Sequence, residues 1–441
     1  MKIINRDGDK IAAENGNSIV NALNKDSVLR NATRFALKLG EHTWGGDKKR
    51  NLFDDYSWKN VDFERARAKG SKNSSQYLKL ESTWWEQRQW GITLMMETLL
   101  TNKHSLGKKL LQQFEYLQPI APNLNGYTKV NVKDVTKEGA IFKCKNNKNV
   151  EYGFDTYGRI SHLKLDDSSG WADENNTLFQ LRYRSYSLKD VNQFMHSYVK
   201  VNATWTSQDY GNPGLPSDVK GKFWETNLSE FYVKDGIECS FALKLNFEND
   251  AHISYGAPQH VWVSISSPKA SDNAVINVSV GLFNKTRTRL PESLFVRFEP
   301  FGRNIQGDSI IKWEASRVGE WEGTDDIIDG GSKHLYGVTD DGIKATNIKT
   351  NGKMSVSSFD SNVATFGVES AYPSPTHTNP DGSDEGVSFV LWDNLWGTNY
   401  ILWWPFENPP AEYVDSAKYF PQSWTKNFAS RYQISISRHE N

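Results

Sequence analysis

The chain from Pro119 onward is built of short runs rich in Val, Ile, Tyr, Phe and Trp, separated by Gly, Asn and Asp. Residues 150 to 165, VEYGFDTYGRISHLKL, are typical of a hairpin with its turn at Thr156 to Gly158. Residues 258 to 266 and 276 to 283 alternate apolar and polar side chains with period two. No helix longer than a turn or two is predicted after residue 120. The pattern therefore predicts a mainly β fold in which residues 119 to 441 form a large antiparallel sandwich, as one unit or as two sub-sandwiches.

Residues 1 to 118 have a helical pattern and are predicted to form a small helical bundle in front of the sandwich. In residues 27 to 40, SVLRNATRFALKLG, apolar side chains recur at helical spacing, with Ser27 as the N-cap and Gly40 as the stop. Two further helices are predicted, over residues 75 to 101 and 105 to 117.

The overall charge excludes some partners. The chain has 52 Lys and Arg against 53 Asp and Glu, so no long-range field attracts a nucleic acid or an anionic membrane. No apolar run of 18 residues occurs, and no membrane span is predicted.

The first ten residues are charged where a secretory signal is apolar. Seven N-x-S/T sequons nevertheless favour a secreted or lysosomal location over a cytoplasmic one, with an N-terminus that was processed or a start that lies upstream.

Cys144 and Cys239 are the two cysteines, and they can form one disulfide bridge or none. Neither cysteine occurs in a CxxC or Cys/His spacing that would indicate zinc. We expect buried free thiols.

The aromatic content is high, with 16 Trp, 18 Tyr and 22 Phe. Most of these rings are expected to fill the core of a sandwich. Aromatic rings also line carbohydrate sites, where the C–H face of a sugar stacks on them.

Several local runs resemble glycoside hydrolase family 38, the α-mannosidase-like enzymes. They follow the family's order over residues 30 to 405 and read GEHTWGGD (40 to 47), ESTWWEQRQW (81 to 90), DYGNPGLP (209 to 216), RLPESLFVRFEP (289 to 300), DGGSKHLYGV (329 to 338) and DNLWGTNYILWWPF (393 to 406). The resemblance implies a galactose-mutarotase-like supersandwich behind a helical bundle. It also implies that the catalytic carboxylates and three of four zinc ligands belong to a (β/α) barrel, which no strand-helix alternation in this sequence can build.

The resemblance implies one metal ligand in this chain, His42, which follows the first helix and is flanked by Gly45 and Gly46. Zinc is expected only with a barrel from a partner chain or from a missing N-terminal half. The family motif has Asp after this His, where this chain has Thr43. The structural alternative is a His that packs against Trp44.

The run at residues 393 to 406 contains the candidate sugar-binding residues. Polar side chains surround Trp396 and Gly397 there, which suits hydrogen bonding to sugar hydroxyls beside a stacking ring. The candidates are Trp396, Asn399, Asn394 and Asp393. The structural alternative is a strand, a tight Gly turn and another strand, with Trp403 and Trp404 in the core.

Two functions from different classes follow. The first is the C-terminal, barrel-lacking portion of an α-mannosidase-like glycoside hydrolase, inactive alone, which binds a mannoside-like glycan together with a barrel-bearing chain. The second is a non-catalytic carbohydrate-binding or structural sandwich. An aldose epimerase is a third class, but no closely spaced His and Glu pair in the sequence marks it.

Overall fold

The structure is a computed structural model, and it describes residues 23–38, 46, 51–115, 119–144, 150–165, 170–201, 203–234, 239–268, 273–300, 310–317, 319–323, 326, 335–367, 369–370, 372, 386–394 and 427–437. Eighteen strands occur within these ranges. They are β1 Thr128–Val130, β2 Phe142–Lys143, β3 Val150–Phe154, β4 Ile160–Leu165, β5 Leu178–Ser185, β6 Lys222–Lys234, β7 Cys239–Phe247, β8 His260–Ser267, β9 Asn273–Phe283, β10 Glu292–Phe298, β11 Ile311–Arg317, β12 Glu320–Gly323, β13 Leu335–Gly337, β14 Ile343–Asn347, β15 Lys353–Ser358, β16 Val363–Phe366, β17 Val387–Asn394 and β18 Phe428–Ser437.

The strands form two antiparallel sheets. One has the order β2-β3-β4-β5-β10-β17-β16-β13. The other has the order β1-β6-β7-β8-β9-β18-β15-β14-β11-β12. The long strand β6 joins them, because Lys222 to Glu225 pair with β5 and Thr226 to Lys234 pair with β7. The prediction of a mainly β, antiparallel fold is confirmed.

Helices precede the strands, as predicted. They are α1 Ser27–Lys38, α2 Asn60–Arg67, α3 Ser74–Arg88, α4 Leu94–Thr101 and α5 Ser105–Glu115. A π-helical turn at Gln89–Thr93 links α3 to α4, so the predicted helix over residues 75 to 101 is present with one wider turn inside it. The N-cap of α1 is Asp26 instead of the predicted Ser27, since its Oδ1 accepts from the backbone N–H of Leu29 at 2.9 Å.

The prediction that no helix longer than a turn or two follows residue 120 is wrong. After the short α6 Val132–Val135, two longer helices connect β5 to β6, namely α7 Leu188–Tyr198 and α8 Thr204–Tyr210. The start of α7 is fixed by a capping box in which Ser187 accepts from the backbone N–H of Asp190, and the Asp190 carboxylate accepts from the backbone N–H of Ser187. This local signal outweighs the strand-rich surroundings.

The hairpin at residues 150 to 165 is confirmed as β3 and β4. Its turn includes Gly158, whose φ of +80° is a conformation that favours glycine. The period-two runs at 258 to 266 and 276 to 283 correspond to β8 and β9.

Cys144 and Cys239 form a disulfide, so the expectation of free thiols is wrong. Cys144 directly follows β2 and Cys239 begins β7, and the fold brings their Cα atoms to 5.3 Å, within the usual range for a disulfide. The spacing of 95 residues in sequence gave no local sign of this contact.

The core lies between the two sheets and continues into part of the helical region, where Trp58, Phe63, Tyr77 and Trp85 belong to the same buried cluster. A second, smaller cluster packs α1 against α4 and α5. Among the described residues, no helix has the length and apolar character needed to cross a membrane. The boundary near residue 118 remains a prediction.

Candidate functional site

A row of polar side chains crosses the middle of the first sheet. Ser293 on β10 pairs with Arg184 on β5 at one side and with Asp393 on β17 at the other. On the next strand, Phe223 of β6 pairs with Arg184. Because directly paired residues of antiparallel strands point to the same side of a sheet, these four side chains share one face.

The same face continues along β5 and β10 in steps of two residues, and a bulge between Leu294 and Phe295 shifts the register of β17 so that Ser388 pairs with Arg297. The polar side chains that share it, which we call the polar face, are Gln180, Arg182, Arg184, Ser293, Arg297, Ser388 and Asp393. Its polar residues alternate with apolar residues that point into the core, as in the run LFQLRYRS of β5.

Glu369, which follows β16, is the anionic centre of the polar face. It is 3% exposed and forms an ion pair with Arg182, while Arg297 Nη1 lies 4.0 Å from its Oε2. Ser388 Oγ donates a hydrogen bond to its Oε1 at 2.9 Å. Burial raises the pKa of Glu369 despite the opposing effect of Arg297 and Arg182. The guanidinium groups are thus needed to hold this carboxylate in the interior.

Arg182 also binds a second acid. Its Nε lies 3.1 Å from Glu225 Oε1, and Gln180 Nε2 donates to Glu225 Oε2 at 3.0 Å. The Arg182 guanidinium stacks over the ring of Phe223 at 4.0 Å from its centroid. These contacts fix the orientation of the Arg182 side chain.

Four contacts hold the Arg184 side chain. Its Nη1 donates to the Glu369 carbonyl at 3.2 Å, its Nη2 lies 3.4 Å from Asp190 Oδ1, and its guanidinium lies over Tyr186 at 4.9 Å and over Phe223 at 4.6 Å. Arg184 Nε is shielded from solvent and has no hydrogen-bond partner among the described residues. An unused buried donor is costly unless a water or a ligand meets it.

Of the two predicted sugar-binding residues that the structure describes, Asp393 lies on the polar face. Its side chain is half-buried, and its Oδ1 is shielded and unpartnered within the part of the chain that the structure describes. Burial raises the pKa of Asp393 to about 7. A carboxyl group with this pKa can accept, donate or exchange a proton near neutral pH.

Aromatic residues pack beside Ser293 and Arg184. Tyr186 and Ser293 share a hydrogen bond between their hydroxyl groups at 3.0 Å, which fixes the Ser293 side chain. Tyr372 packs edge-on against Tyr186 at 4.9 Å, and its hydroxyl accepts from Asn212 Nδ2 at 3.3 Å. Both tyrosines are buried, so they support Ser293 by packing and hydrogen bonding and are not exposed stacking rings.

Asn394, the next residue, points to the opposite side of the sheet. It is buried in the core, and its Nδ2 donates to the Thr288 carbonyl at 2.9 Å. Beside it, Lys285 Nζ lies 2.5 Å from Glu292 Oε1, and Tyr183 donates to Glu292 Oε2 at 2.6 Å. Of the predicted pair Asp393 and Asn394, only Asp393 belongs to the polar face.

The other predicted site residues, His42, Trp396 and Asn399, lie outside the described residues. The sequence analysis missed Arg182, Arg184, Ser293, Arg297 and Glu369. The alternation of Gln180, Arg182 and Arg184 with apolar residues was a usable signal for a polar sheet face.

The fold and the site together define a class: an antiparallel two-sheet protein with an ion-paired polar face on its central strands. The chain belongs to the family described as "Domain of unknown function (DUF5054)", whose model matches residues 15–276. No curated protein matches the sequence.

Three solved structures are similar at low identity. The Slr1438 protein from Synechocystis sp. PCC 6803 is 11% identical, with a TM-score of 0.33 over 70% of this chain and 100% of that chain. An alpha-mannosidase from Enterococcus faecalis V583 is 8% identical, with a TM-score of 0.34 over 68% of this chain and 30% of that chain. A galactose mutarotase-like protein from Clostridium acetobutylicum is 10% identical, with a TM-score of 0.31 over 71% of this chain and 98% of that chain. The chain thus spans less than a third of the length of the mannosidase.

Proposed function

We propose that this chain is the barrel-lacking, C-terminal portion of an α-mannosidase-like glycoside hydrolase. Its polar face contributes sugar contacts to an active site that a (β/α) barrel on another chain or segment completes. The observation that carries this proposal is the row of Arg184, Ser293 and Asp393, in which Arg184 Nε and Asp393 Oδ1 are unused hydrogen-bonding atoms of partly exposed side chains. Trp396 and Asn399, which follow β17 in the chain, are proposed as further sugar contacts.

The carboxylates of the polar face argue against hydrolysis by this chain alone. A retaining glycosidase needs two carboxyl groups about 5 Å apart that can act as nucleophile and acid. Glu225 and Glu369 are both engaged by Arg182. Glu292 is buried on the opposite side of the sheet with Lys285. Among the described residues of the face, Asp393 alone is a carboxyl group without an ion pair.

The same observation favours a second function. A face with one unpaired carboxyl group and fixed guanidinium groups is sufficient to bind a glycan without cleaving it. The alternative is therefore a non-catalytic carbohydrate-binding sandwich that has no barrel.

Zinc remains part of the first proposal only through His42, which would supply one ligand to a site on the barrel. Within the described ranges, no three His, Cys, Asp or Glu side chains are grouped to hold a metal ion. The described residues alone do not fit a zinc site, and no step of the proposed function goes through the metal.

A secreted or lysosomal location is also proposed. The Cys144–Cys239 disulfide supports it, because such bridges form and persist in oxidising compartments and are rare in the cytosol.

The test uses the purified 441-residue chain. We expect methyl α-D-mannopyranoside to give saturation-transfer NMR signals with the protein, and 4-nitrophenyl α-D-mannopyranoside to remain uncleaved. Native mass spectrometry of the chain from its source should then show whether a barrel-bearing chain accompanies it. Such a companion supports the hydrolase. A chain that binds sugar and that is isolated from its source without a companion supports the binding protein.

Two results would overturn the proposal. One is turnover by the isolated chain that a single Asp or Glu substitution in it abolishes. The other is the absence of binding to any neutral glycoside in a panel that includes mannosides, glucosides and galactosides.

A further inference from the structure

Two unused polar atoms flank Ser293 on the polar face. Arg184 Nε is a donor and Asp393 Oδ1 is an acceptor, and both are shielded from solvent without a partner among the described residues. Their residues are the immediate neighbours of Ser293 on β5 and β17. A buried donor on one side of Ser293 and a buried acceptor on the other both lack a hydrogen-bond partner. This arrangement indicates a polar ligand that bonds both atoms, or waters that bond them when the ligand is absent.

Arg184 and Asp393 lie on the two strands that flank Ser293, so two strand spacings, about 10 Å, separate their backbones. Ser293 lies between them, and Tyr186 holds its hydroxyl in place.

Access to the row is partial. The Arg184 side chain is 19% exposed and Asp393 is half-buried, whereas Ser293 between them is buried and the unused atoms Arg184 Nε and Asp393 Oδ1 are shielded from solvent. A ligand of the row would therefore be largely enclosed.

The charges of the polar face exclude an anionic ligand. Arg184 pairs with Asp190, Arg182 pairs with Glu225 and Glu369, and Arg297 pairs with Glu299. The three guanidinium groups are thus neutralised by four carboxylates. No described guanidinium of the face is left to bind a phosphate or a carboxylate group, so an acidic sugar would meet a net negative surface.

We propose that the Arg184–Ser293–Asp393 row binds one neutral sugar ring, with Arg184 Nε donating to one hydroxyl and Asp393 Oδ1 accepting from another. This inference rests on the proposed function, because it assigns the ligand class and the contacts of the same face. The raised pKa of Asp393 supports it, since a ligand hydroxyl can bond this group in either protonation state.

The test measures affinity for methyl α-D-mannopyranoside and mannose 6-phosphate by NMR titration of the purified chain. Asp393→Leu removes the acceptor at similar volume. Arg184→Lys keeps a cation for Asp190 but removes Nε. Asp393→Asn keeps Oδ1 as an acceptor. Glu230→Gln is the matched control, because Glu230 lies on β6 with Lys129 and Lys244 as its partners.

We expect Asp393→Leu and Arg184→Lys to weaken binding of the neutral glycoside at least about tenfold, because each removes one hydrogen bond in an enclosed site. Glu230→Gln should retain the affinity within about threefold. Asp393→Asn should weaken binding less than Asp393→Leu, because the amide keeps one acceptor oxygen. Mannose 6-phosphate should bind at least about tenfold more weakly than the neutral glycoside.

The outcomes separate the two proposals. If the wild-type chain binds the neutral glycoside and both Asp393→Leu and Arg184→Lys bind equally well, the site assignment is wrong while the proposed function stands. If the wild-type chain binds mannose 6-phosphate more tightly, the ligand class is wrong. A chain that binds no neutral glycoside contradicts the proposed function itself. Should Asp393→Leu fail to fold by circular dichroism, Arg184→Lys decides the result.

Discussion

A buried contact between Arg289, which precedes β10, and Asp54, which precedes α2, joins the helical region to the sandwich. The Arg289 guanidinium donates to the Asp54 carbonyl oxygen, and its Nη1 lies 3.6 Å from Asp54 Oδ1. Both side chains are buried, and the guanidinium also stacks over Trp58 at 4.2 Å. Burial alone would raise the pKa of Asp54, but the N–H groups of Tyr56 and Ser57 and the charge of Arg289 lower it to about 2. The segment around Asp54 is therefore part of the folding unit of the sandwich.

Replacing Arg289 should destabilise the whole chain. In Arg289→Met, Asp54 stays buried without its cation, and the free energy of unfolding should fall by about 3–5 kcal/mol. Urea denaturation followed by circular dichroism measures the change. Arg317→Met is the control, because Arg317 and its partner Glu322 are exposed, and it should change stability by less than about 1 kcal/mol. Equal effects of the two variants would contradict the role of Arg289.

The disulfide should contribute measurably to stability. Cys144→Ser combined with Cys239→Ser should lower the free energy of unfolding by about 2–5 kcal/mol, since the bridge closes a long loop in the unfolded chain. Dithiothreitol should destabilise the wild-type chain by a similar amount and leave the double variant unchanged. Two titratable thiols in the native, unreduced protein would contradict the bridge.

Asp393 should make stability depend on pH. Its pKa is raised from 3.8 to about 7 in the folded state, so the folded chain binds a proton more tightly than the unfolded chain. The stabilisation is complete below pH 3.8 and is lost as pH rises through about 7. The full shift of the pKa corresponds to about 4 kcal/mol, and partial solvent access of Asp393 reduces this to about 2 kcal/mol. Asp393→Asn carries no charge at any pH, so it should be more stable than wild type by about 2 kcal/mol at pH 8.

The measurement is the urea midpoint of both proteins between pH 4 and pH 8. The difference should grow with pH and then level off above the pKa of Asp393. A difference that is constant with pH would show that Asp393 titrates at its ordinary value.

Lys285 and Glu292 should be structural and not ligand-binding. Lys285→Met leaves Glu292 buried without its cation and should cost about 3–5 kcal/mol of unfolding free energy, while adding Glu292→Gln should restore much of the loss. The double variant should bind methyl α-D-mannopyranoside like wild type, because the pair lies on the opposite side of the sheet from Asp393. A loss of binding by the folded double variant would contradict this.

The sequence predicted the parts of the fold that depend on local pattern. The helix α5, the hairpin of β3 and β4 and the strand β8 follow from periodicity and turn residues. The helix α7 was missed although Ser187 and Asp190 form a capping box, because the surrounding strand pattern was extended across it. The disulfide was missed because only the pairing of distant strands brings Cys144 to Cys239.

The candidate site was predicted less completely. Asp393 was a sequence candidate because polar and aromatic residues surround it, and the structure places it on the polar face beside Ser293. Its neighbours Arg184 and Ser293 come from strands far away in sequence, and only the register of β5, β10 and β17 places them side by side. Glu369 reaches Arg182 across a separation of 187 residues, which no local pattern encodes.

The most direct test of the account observes the Nε–H group of Arg184 while sugar is added. In a protein labelled with ¹⁵N in arginine side chains, with signals assigned by substitution, methyl α-D-mannopyranoside should shift the Arg184 Nε–H resonance in a saturable manner. The resonance of Arg317, at the exposed pair with Glu322, should stay in place. If the sugar binds but the Arg184 resonance does not move, the polar face is not the site and the account is contradicted.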